Sequence, residues 1–385
     1  MRTFLFLTLS MQSYYFHQLS MPLISLLALF SIFSLLLLKY KEEVFIFQVN
    51  PTGYILGFYI FLFTWNVFGL LYFGEILDIK RAIGFFIILT AVLFSEKFIL
   101  NISRYRLIRN YLIIHSSFFY VQFFSHYIFD VQLDFLYFVT GEVQRTLSDN
   151  LVFDLSGQFM RPAGLFVEPG TYAAFIAPFI ALFSKWYTSS KVNRFIFWMA
   201  LSSLILSGST FGMVFAVVIF FSLREIRLIY KVSIIAPTVL WISPYFYYRF
   251  FVRSDGNGIG IRGEFVNNFV EYSFASIEGF IFGIKNMVSL VLKVPYNTLA
   301  ENDGGLLFYL LFSNGLFAGF FILLFLIYMF IKVQYTSKIA FLIILLSKHS
   351  IFSPFFPFML ILILRRSYKS KRDNKEINLI SSLKK

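Results

Sequence analysis

Apolar segments close to the length that a bilayer requires follow one another along most of the chain. They lie at about residues 3–17, 21–38, 53–74, 82–100, 111–129, 170–186, 194–223, 228–248, 303–331 and 339–364. A helix needs ~20 such residues to cross the hydrocarbon core. A chain of 385 residues that is 58% hydrophobic and only 14% charged has too little polar surface to close as a water-soluble globule. The pattern predicts an integral membrane protein built from helices.

Two of these segments are too long or too interrupted to form one helix each. The polar stretch at 207–210 divides the run at 194–223, and a polar, proline-containing stretch at 348–354 divides the run at 339–364. The predicted fold class is therefore all-α, a polytopic integral membrane helical bundle of about twelve transmembrane helices. The whole chain, residues 1–385, is expected to form a single membrane domain.

Two long loops and a tail are predicted outside the membrane. Residues 131–167 and 249–302 mix charged residues with isolated hydrophobic ones. Within the second loop, residues 272–293 are apolar but carry Glu278 and Lys285, which predicts an interfacial or re-entrant helix rather than a span. Residues 365–385 form a basic tail.

The distribution of charge predicts the orientation of these loops. An even number of spans places both termini on one side of the membrane, and most Lys and Arg residues fall on that side, in short connections and in the tail. Cytoplasmic connections carry such an excess, so both termini are predicted to be cytoplasmic and both long loops to face outward. The net charge of +13 then indicates topology and contact with anionic lipids, not a nucleic-acid partner.

Several reaction types lack their usual motifs here. The chain has no Cys, no Gly-rich phosphate loop of Walker type, no zinc-binding helix motif and no Asp-x-Asp pair for a divalent metal. We therefore expect neither a cofactor nor a metal. The prominent polar feature is Arg161-Pro162-Ala163-Gly164-Leu165-Phe166-Val167-Glu168-Pro169-Gly170, which leads directly into an apolar helix.

Arginines in both outward loops are candidates for binding an anion. Arg161 belongs to the first loop, and Arg249, Arg253 and Arg262 belong to the second. A guanidinium group is always charged and offers paired hydrogen bonds that suit a pyrophosphate. Alternatively, these arginines form ion pairs with carboxylates within the loops.

The segment from Arg161 to Gly170 resembles one found in the bacterial O-antigen polymerases, the Wzy family. Two further stretches are similar to that family. Ser207-Gly208-Ser209-Thr210-Phe211-Gly212 resembles its polar break before a span, and Gly279-Phe280-Ile281-Phe282-Gly283, with Asp303-Gly304-Gly305 and Gly315, resembles the return of the second loop to the membrane. The likeness covers about residues 110–364.

This resemblance implies an enzyme of the bacterial inner membrane with two large periplasmic loops. It implies a metal-independent glycosyltransferase that joins undecaprenyl-pyrophosphate-linked oligosaccharide repeat units into O-antigen or a related surface polysaccharide. Arg161, with Arg249, Arg253 and Arg262, would bind the pyrophosphate, and Glu168 or Asp303 would orient or deprotonate the acceptor hydroxyl. Glu168 could instead pair with Arg161, and Asp303 could cap the following helix.

The implied partners are the lipid-linked oligosaccharides, membrane lipids and, as one candidate, a chain-length regulator protein. Two other functions stay open. O-antigen ligases have a similar topology but carry a His at the return from the second loop, where this chain has Glu301-Asn302-Asp303. A flippase for lipid-linked oligosaccharides also has about a dozen spans, but with short loops and two similar halves. His17, His115, His126 and His349 are predicted to be packing or interfacial residues.

Overall fold

A computed structural model describes most of the central part of the chain. It describes residues 51–74, 104–137, 143–148, 159–247, 274–283, 305–333, 335–347 and 355–364, together with Ile76, Ala82, Gly84, Glu271 and His349. The predicted all-α class is confirmed for these residues. The helices are α1 Pro51–Phe73, α2 Arg104–Phe129, α3 Pro169–Phe183, α4 Lys191–Leu206, α5 Thr210–Ser222, α6 Leu228–Tyr247, α7 Ile277–Phe282, α8 Leu306–Lys332, α9 Tyr335–Leu346 and α10 Phe355–Leu364. Leu147–Ser148 and Phe159–Met160 form one short antiparallel pair, β1 and β2.

Helix α3 forms the centre of the bundle. Every residue from Tyr172 to Phe183 is buried, and the helix packs against α2, α4, α5 and α9. From Tyr172 to Phe183 it consists of alanine, aromatic and branched aliphatic residues and one proline, with no charge. A helix that is apolar on all sides is stable only when it is surrounded. The loop that leads into α3 is therefore attached to a helix that other helices enclose.

Contacts between side chains show how the helices run. The ring of Tyr105 lies 6.2 Å from that of Phe183, and the ring of Phe119 lies 4.9 Å from that of Tyr172, so α2 and α3 are antiparallel. A Cβ on Gly212 would lie 3.3 Å from the Cβ of Ala173, so α5 begins beside the start of α3. Helix α4 ends beside the start of α3, where Ser203 bonds to Tyr172, and begins beside the end of α5, where the ring of Trp198 lies 5.7 Å from that of Phe220. Helices α3 and α5 therefore run in the same direction. The bundle consequently has two distinct ends.

One end of the bundle, which we call the basic end, carries most of the described cations. Arg104 bonds to Ser337 Oγ at 3.3 Å, and Arg224 lies 4.5 Å above the ring of Tyr335, so the starts of α2 and α9 and the end of α5 meet there. The basic end contains Arg104, Arg106, Arg109, Lys185, Lys191, Arg194, Arg224, Arg227, Lys231, Lys332 and Lys338. The other described basic residues are Arg145 and Arg161, which lie at the opposite end, the loop end, formed by residues 130–137, 143–148 and 159–168.

Two helical segments, Gly53–Phe73 and Ser313–Lys332, are long and apolar enough to cross a membrane. They pack against each other antiparallel, since the ring of Phe58 stacks 5.0 Å from that of Phe325 and the ring of Trp65 lies 5.6 Å from that of Phe317. The described structure is thus compatible with a membrane protein. Several predicted spans, including the first two, lie outside the described residues.

Some helix boundaries differ from those predicted. Helix α2 starts at Arg104 rather than at 111, so its first turns are basic. The predicted break at 207–210 is confirmed: Gly208 has a φ of 60°, and the side chain of Ser209 caps α5 by accepting from Gly212 N at 3.4 Å. Within the predicted interfacial helix, α7 ends at Phe282 and is followed by Gly283, where φ is 78°. A positive φ there favours glycine and terminates the helix.

Candidate functional site

The residues from Arg161 to Glu168 form a compact turn at the loop end, which we call the Arg161 turn. Its first residue continues the strand pairing, because Arg161 N donates to Thr146 O at 2.7 Å. Near its other end, Val167 O accepts from Arg145 N at 2.8 Å. Both ends of the turn are therefore bonded to the same short stretch of the first loop.

Gln122 binds the middle of the Arg161 turn from helix α2. Its Oε1 accepts from Ala163 N at 2.8 Å and from Gly164 N at 3.0 Å. Its Nε2 donates to Leu133 O at 2.7 Å and to Gln144 Oε1 at 2.8 Å. All four hydrogen-bonding positions of this buried amide are thus used, which offsets the cost of burying it.

Gln144 completes the attachment from the loop. Its Nε2 donates to Gly164 O at 2.8 Å and to Phe166 O at 2.7 Å. Its own backbone N donates to Asp134 Oδ2 at 2.8 Å, and Asp134 Oδ1 accepts from Leu136 N at 2.9 Å. Asp134, Gln144 and Gln122 therefore connect the beginning, the middle and the end of the first loop to helix α2.

Close packing against α2 also shapes the turn. Gly164 has a φ of 57°, and a Cβ there would lie 3.3 Å from Phe119 N and 3.4 Å from His115 O. The side chain of Phe166 is fully buried, with its ring 5.1 Å from that of His115 and 5.5 Å from that of Phe175. Glycine at 164 is thus required by the backbone conformation and by the close approach of α2.

Arg161 is half-buried and is held on both sides through its backbone. Besides the bond from Arg161 N, the carbonyl of Met160 accepts from Tyr127 Oη at 2.8 Å. Helix α2 thereby binds the residue before Arg161 and the residues after it. The backbone from which the Arg161 side chain extends is therefore fixed relative to the bundle. A permanently charged fork that extends from such a backbone is suited to binding phosphate oxygens.

Glu168 occupies the N-cap position of α3, with φ −146° and ψ 157°, and Pro169 follows at the first helical position. Thr171 Oγ1 donates to Glu168 Oε1 at 3.3 Å. A Cβ on Gly170 would lie 3.4 Å from Glu168 Oε1 and 4.0 Å from Ser209 Oγ, so the starts of α3 and α5 adjoin this carboxylate.

The structure places Arg161 and Glu168 on one turn, at the entrance to α3. The other predicted site residues, Arg249, Arg253, Arg262 and Asp303, lie outside the described residues. Within the described ranges, no group of three or more His, Asp or Glu side chains could hold a metal ion.

The start of α8, which follows the predicted second loop, lies close to the start of α3. Leu306 N donates to Ser347 O at 3.0 Å, and His349 Nε2 lies 3.1 Å from Ala174 O. The end of α9 thus connects these two helix starts. His349 and His115 are both buried among aromatic rings, at 4.6 Å from Phe175 and 4.2 Å from Tyr111 respectively, as predicted for packing residues.

The glycine-containing stretches that resemble the family's second-loop return are in contact. Helix α8 is interrupted at Gly315, with φ 78° and ψ 165°, and a Cβ there would meet Ile281 O and lie 2.6 Å from Gly283 N. The backbone of α7 therefore packs directly into the break in α8. Asn66 and Asn314 are buried beside it and share a hydrogen bond of 2.8 Å.

Gln122 and Gln144 were not identified from the sequence as site residues. A signal was present for Gln122, since an amide within an apolar helix must find partners when it is buried. Those partners come from residues 11 to 42 positions away, so the sequence did not indicate them.

Comparisons with protein-family models, curated proteins and solved structures give no match for this chain.

Proposed function

We propose that this chain is a polymerase that joins undecaprenyl-pyrophosphate-linked oligosaccharide repeat units into O-antigen or a related surface polysaccharide. The observation that carries the proposal is the placement of Arg161. It lies on an ordered, half-buried turn at the end of the bundle away from the basic end, at the entrance to the buried helix α3. A permanently charged guanidinium group carried on a turn of this kind is suited to an anionic substrate.

The two ends of the bundle support the proposed orientation. Lys and Arg concentrate at cytoplasmic helix ends, so we assign the basic end to the cytoplasm and the loop end to the periplasm of a multi-pass inner-membrane protein. The described basic residues at the loop end are Arg145 and Arg161, alongside Asp130, Asp134 and Glu168. In the periplasm no ATP is present, so the energy for transfer comes from the lipid-pyrophosphate bond itself.

The reaction is a glycosyl transfer with pyrophosphate as the leaving group. An acceptor hydroxyl oxygen attacks the anomeric carbon of the donor, the bond between that carbon and the pyrophosphate oxygen breaks, and undecaprenyl pyrophosphate leaves. Arg161, together with Arg249, Arg253 and Arg262 from the second loop, neutralises the charge that develops on the leaving group. Such stabilisation is strongest in a site that excludes water.

A carboxylate takes the proton that the acceptor hydroxyl loses. Glu168 is the candidate that the described residues support, because it lies on the same turn as Arg161 and its Oε1 is held by Thr171 at 3.3 Å. Asp303, just before α8, is the second candidate from the sequence. A carboxylate so placed acts by orienting the hydroxyl and accepting its proton.

Arg145 provides a matched control for the test of this function, because it is an exposed arginine in the same loop whose described role is through its backbone. Arg161→Ala should abolish long-chain polymer and leave single repeat units, while Arg145→Ala should leave polymer formation intact. The measurement is polymerisation of undecaprenyl-pyrophosphate-linked units by the purified protein in proteoliposomes, with both variants at equal abundance. Full-length polymer from the Arg161→Ala protein would remove Arg161 from the mechanism, and leaflet transfer without polymer would indicate a flippase instead.

A further inference from the structure

Three polar side chains outside the predicted site connect the Arg161 turn to the bundle. Gln122 is 0% exposed, Gln144 is 4% exposed, and Asp134 is half-buried at the start of the loop. Together they bind both faces of the turn, since Gln122 accepts from its N–H groups and Gln144 donates to its carbonyl groups. Polar residues inside a membrane protein are costly to keep unless they have a role.

The direction of the hydrogen bonds in this network is fully specified. If the amide of Gln122 were reversed, its NH₂ group would face the N–H groups of Ala163 and Gly164, and its oxygen would face Leu133 O. The amide of Gln144 is fixed in the same way by two carbonyl acceptors and one amide donor. A network in which every member is satisfied permits one arrangement of the turn and therefore holds it rigidly.

We infer that Gln122 and Gln144, with Asp134, are positioning residues that hold the Arg161 turn in the geometry needed to bind the pyrophosphate of the substrate. This inference rests on the proposed function. The residues act through Arg161 and do not touch the substrate themselves. A side chain that extends from a rigidly held backbone has less conformational freedom to lose on binding, and small misplacements of a binding group can cost a large part of its effect.

The first measurement tests the order of the turn without reference to activity. The chain contains no Cys, so Leu165→Cys provides a single attachment site for a nitroxide spin label on the turn. In full-length protein in nanodiscs, Gln122→Met should make this label more mobile in its electron paramagnetic resonance spectrum. Gln132→Met is the matched control, because Gln132 is exposed in the same loop. In this variant the spectrum of the label at position 165 should be unchanged.

A second variant covers the case in which Gln122→Met does not fold. Asp134→Asn changes a half-buried loop side chain, keeps one oxygen for Leu136 N, and turns an NH₂ group toward Gln144 N. This variant should also mobilise the label, by a smaller amount. An unchanged label spectrum in Asp134→Asn and in any folded Gln122→Met protein would overturn the inference.

The second measurement asks whether Gln122 acts through Arg161. The probe is an undecaprenyl-pyrophosphate-linked oligosaccharide, and its Kd is measured for Gln122→Met, Arg161→Ala and the double variant. We expect each single variant to weaken binding by about tenfold, as for loss of a hydrogen bond to a charged group, and the double variant to be little weaker than Arg161→Ala alone. If the fold-losses in affinity of the two single variants multiply in the double variant, the two residues act independently and the inference is overturned. If Arg161→Ala leaves the Kd unchanged, the proposed function fails, while the label spectra still decide whether the network orders the turn.

Discussion

The indole nitrogen of Trp65 donates a hydrogen bond of 3.0 Å to the main-chain carbonyl oxygen of Asn314, directly before the break in α8. The non-helical conformation at Gly315 interrupts the backbone hydrogen bonds of α8, and buried backbone groups that lose their helical partners require such replacements. The neighbouring helix α1 therefore stabilises the break through this bond, and α7 also packs against it, with the ring of Phe282 5.7 Å from that of Trp65.

Gly315→Ala should strongly destabilise the protein. A Cβ would meet backbone atoms of Ile281 and Gly283, and alanine would also have to adopt a φ of 78°. We expect the free energy of unfolding to fall by about 3 kcal/mol or more. Thermal unfolding of the purified protein in detergent measures this, with Gly57→Ala in α1 as the control, since a Cβ there has no atom within 4 Å. Equal melting temperatures for the two variants would contradict the close packing of α7.

The buried Asn66–Asn314 pair should show coupling in a double-mutant cycle. Asn66→Leu removes the donor to Asn314 Oδ1 and should cost about 1–2 kcal/mol, because a buried acceptor then loses its partner. Replacing both residues with Leu should cost less than the sum of the single changes, with a coupling energy of about 0.5–1.5 kcal/mol. Chemical unfolding of the four proteins in detergent gives this value, and purely additive costs would show that the pair is unimportant.

Gly164→Ala should impair both stability and activity, and Gly74 offers a comparison with a similar backbone. Gly164 and Gly74 have φ values of 57° and 65°, but only at Gly164 would a Cβ approach another helix, 3.3 Å from Phe119 N. Gly74→Ala should therefore cost about 1 kcal/mol for its backbone conformation alone, and Gly164→Ala about 2–3 kcal/mol. Melting temperatures measure the difference, and the polymerisation assay should show a loss for Gly164→Ala only.

Arg161→Lys should fail to restore polymer formation. Lysine keeps the positive charge but replaces the planar fork with a single ammonium group, so paired hydrogen bonds to a pyrophosphate are lost. We expect the polymerisation rate to fall by at least about tenfold, as for the loss of a charge-assisted hydrogen bond. Arg145→Lys is the matched control and should retain the parent rate. Normal polymer from Arg161→Lys would show that charge alone suffices.

The two ends of the bundle should differ in access from outside the cell. Because the chain has no Cys, Gln132→Cys at the loop end and Thr188→Cys at the basic end can each be labelled individually. Both positions are exposed. A membrane-impermeant maleimide applied to spheroplasts should label Gln132→Cys, and it should label Thr188→Cys only after permeabilisation. The opposite pattern would reverse the proposed orientation.

The all-α class, the helix break near 207–210 and the packing role of His115 and His349 followed from the sequence. They depend on local properties: the length of apolar runs, the occurrence of polar and glycine residues, and the low cost of burying a histidine among aromatic rings compared with a charge. The same local patterns singled out Arg161 and Glu168, because a charged, proline- and glycine-containing stretch is unusual beside an apolar helix.

The tertiary structure decided what holds that stretch in place. Gln122 and Gln144 lie 22 residues apart, and their bond exists only because the first loop folds back over α2. The requirement for glycine at 315 likewise depends on the approach of α7, more than 30 residues earlier in the chain. Hydropathy and motifs report what a segment prefers by itself, whereas these contacts arise when distant segments satisfy one another's backbone groups within an apolar interior.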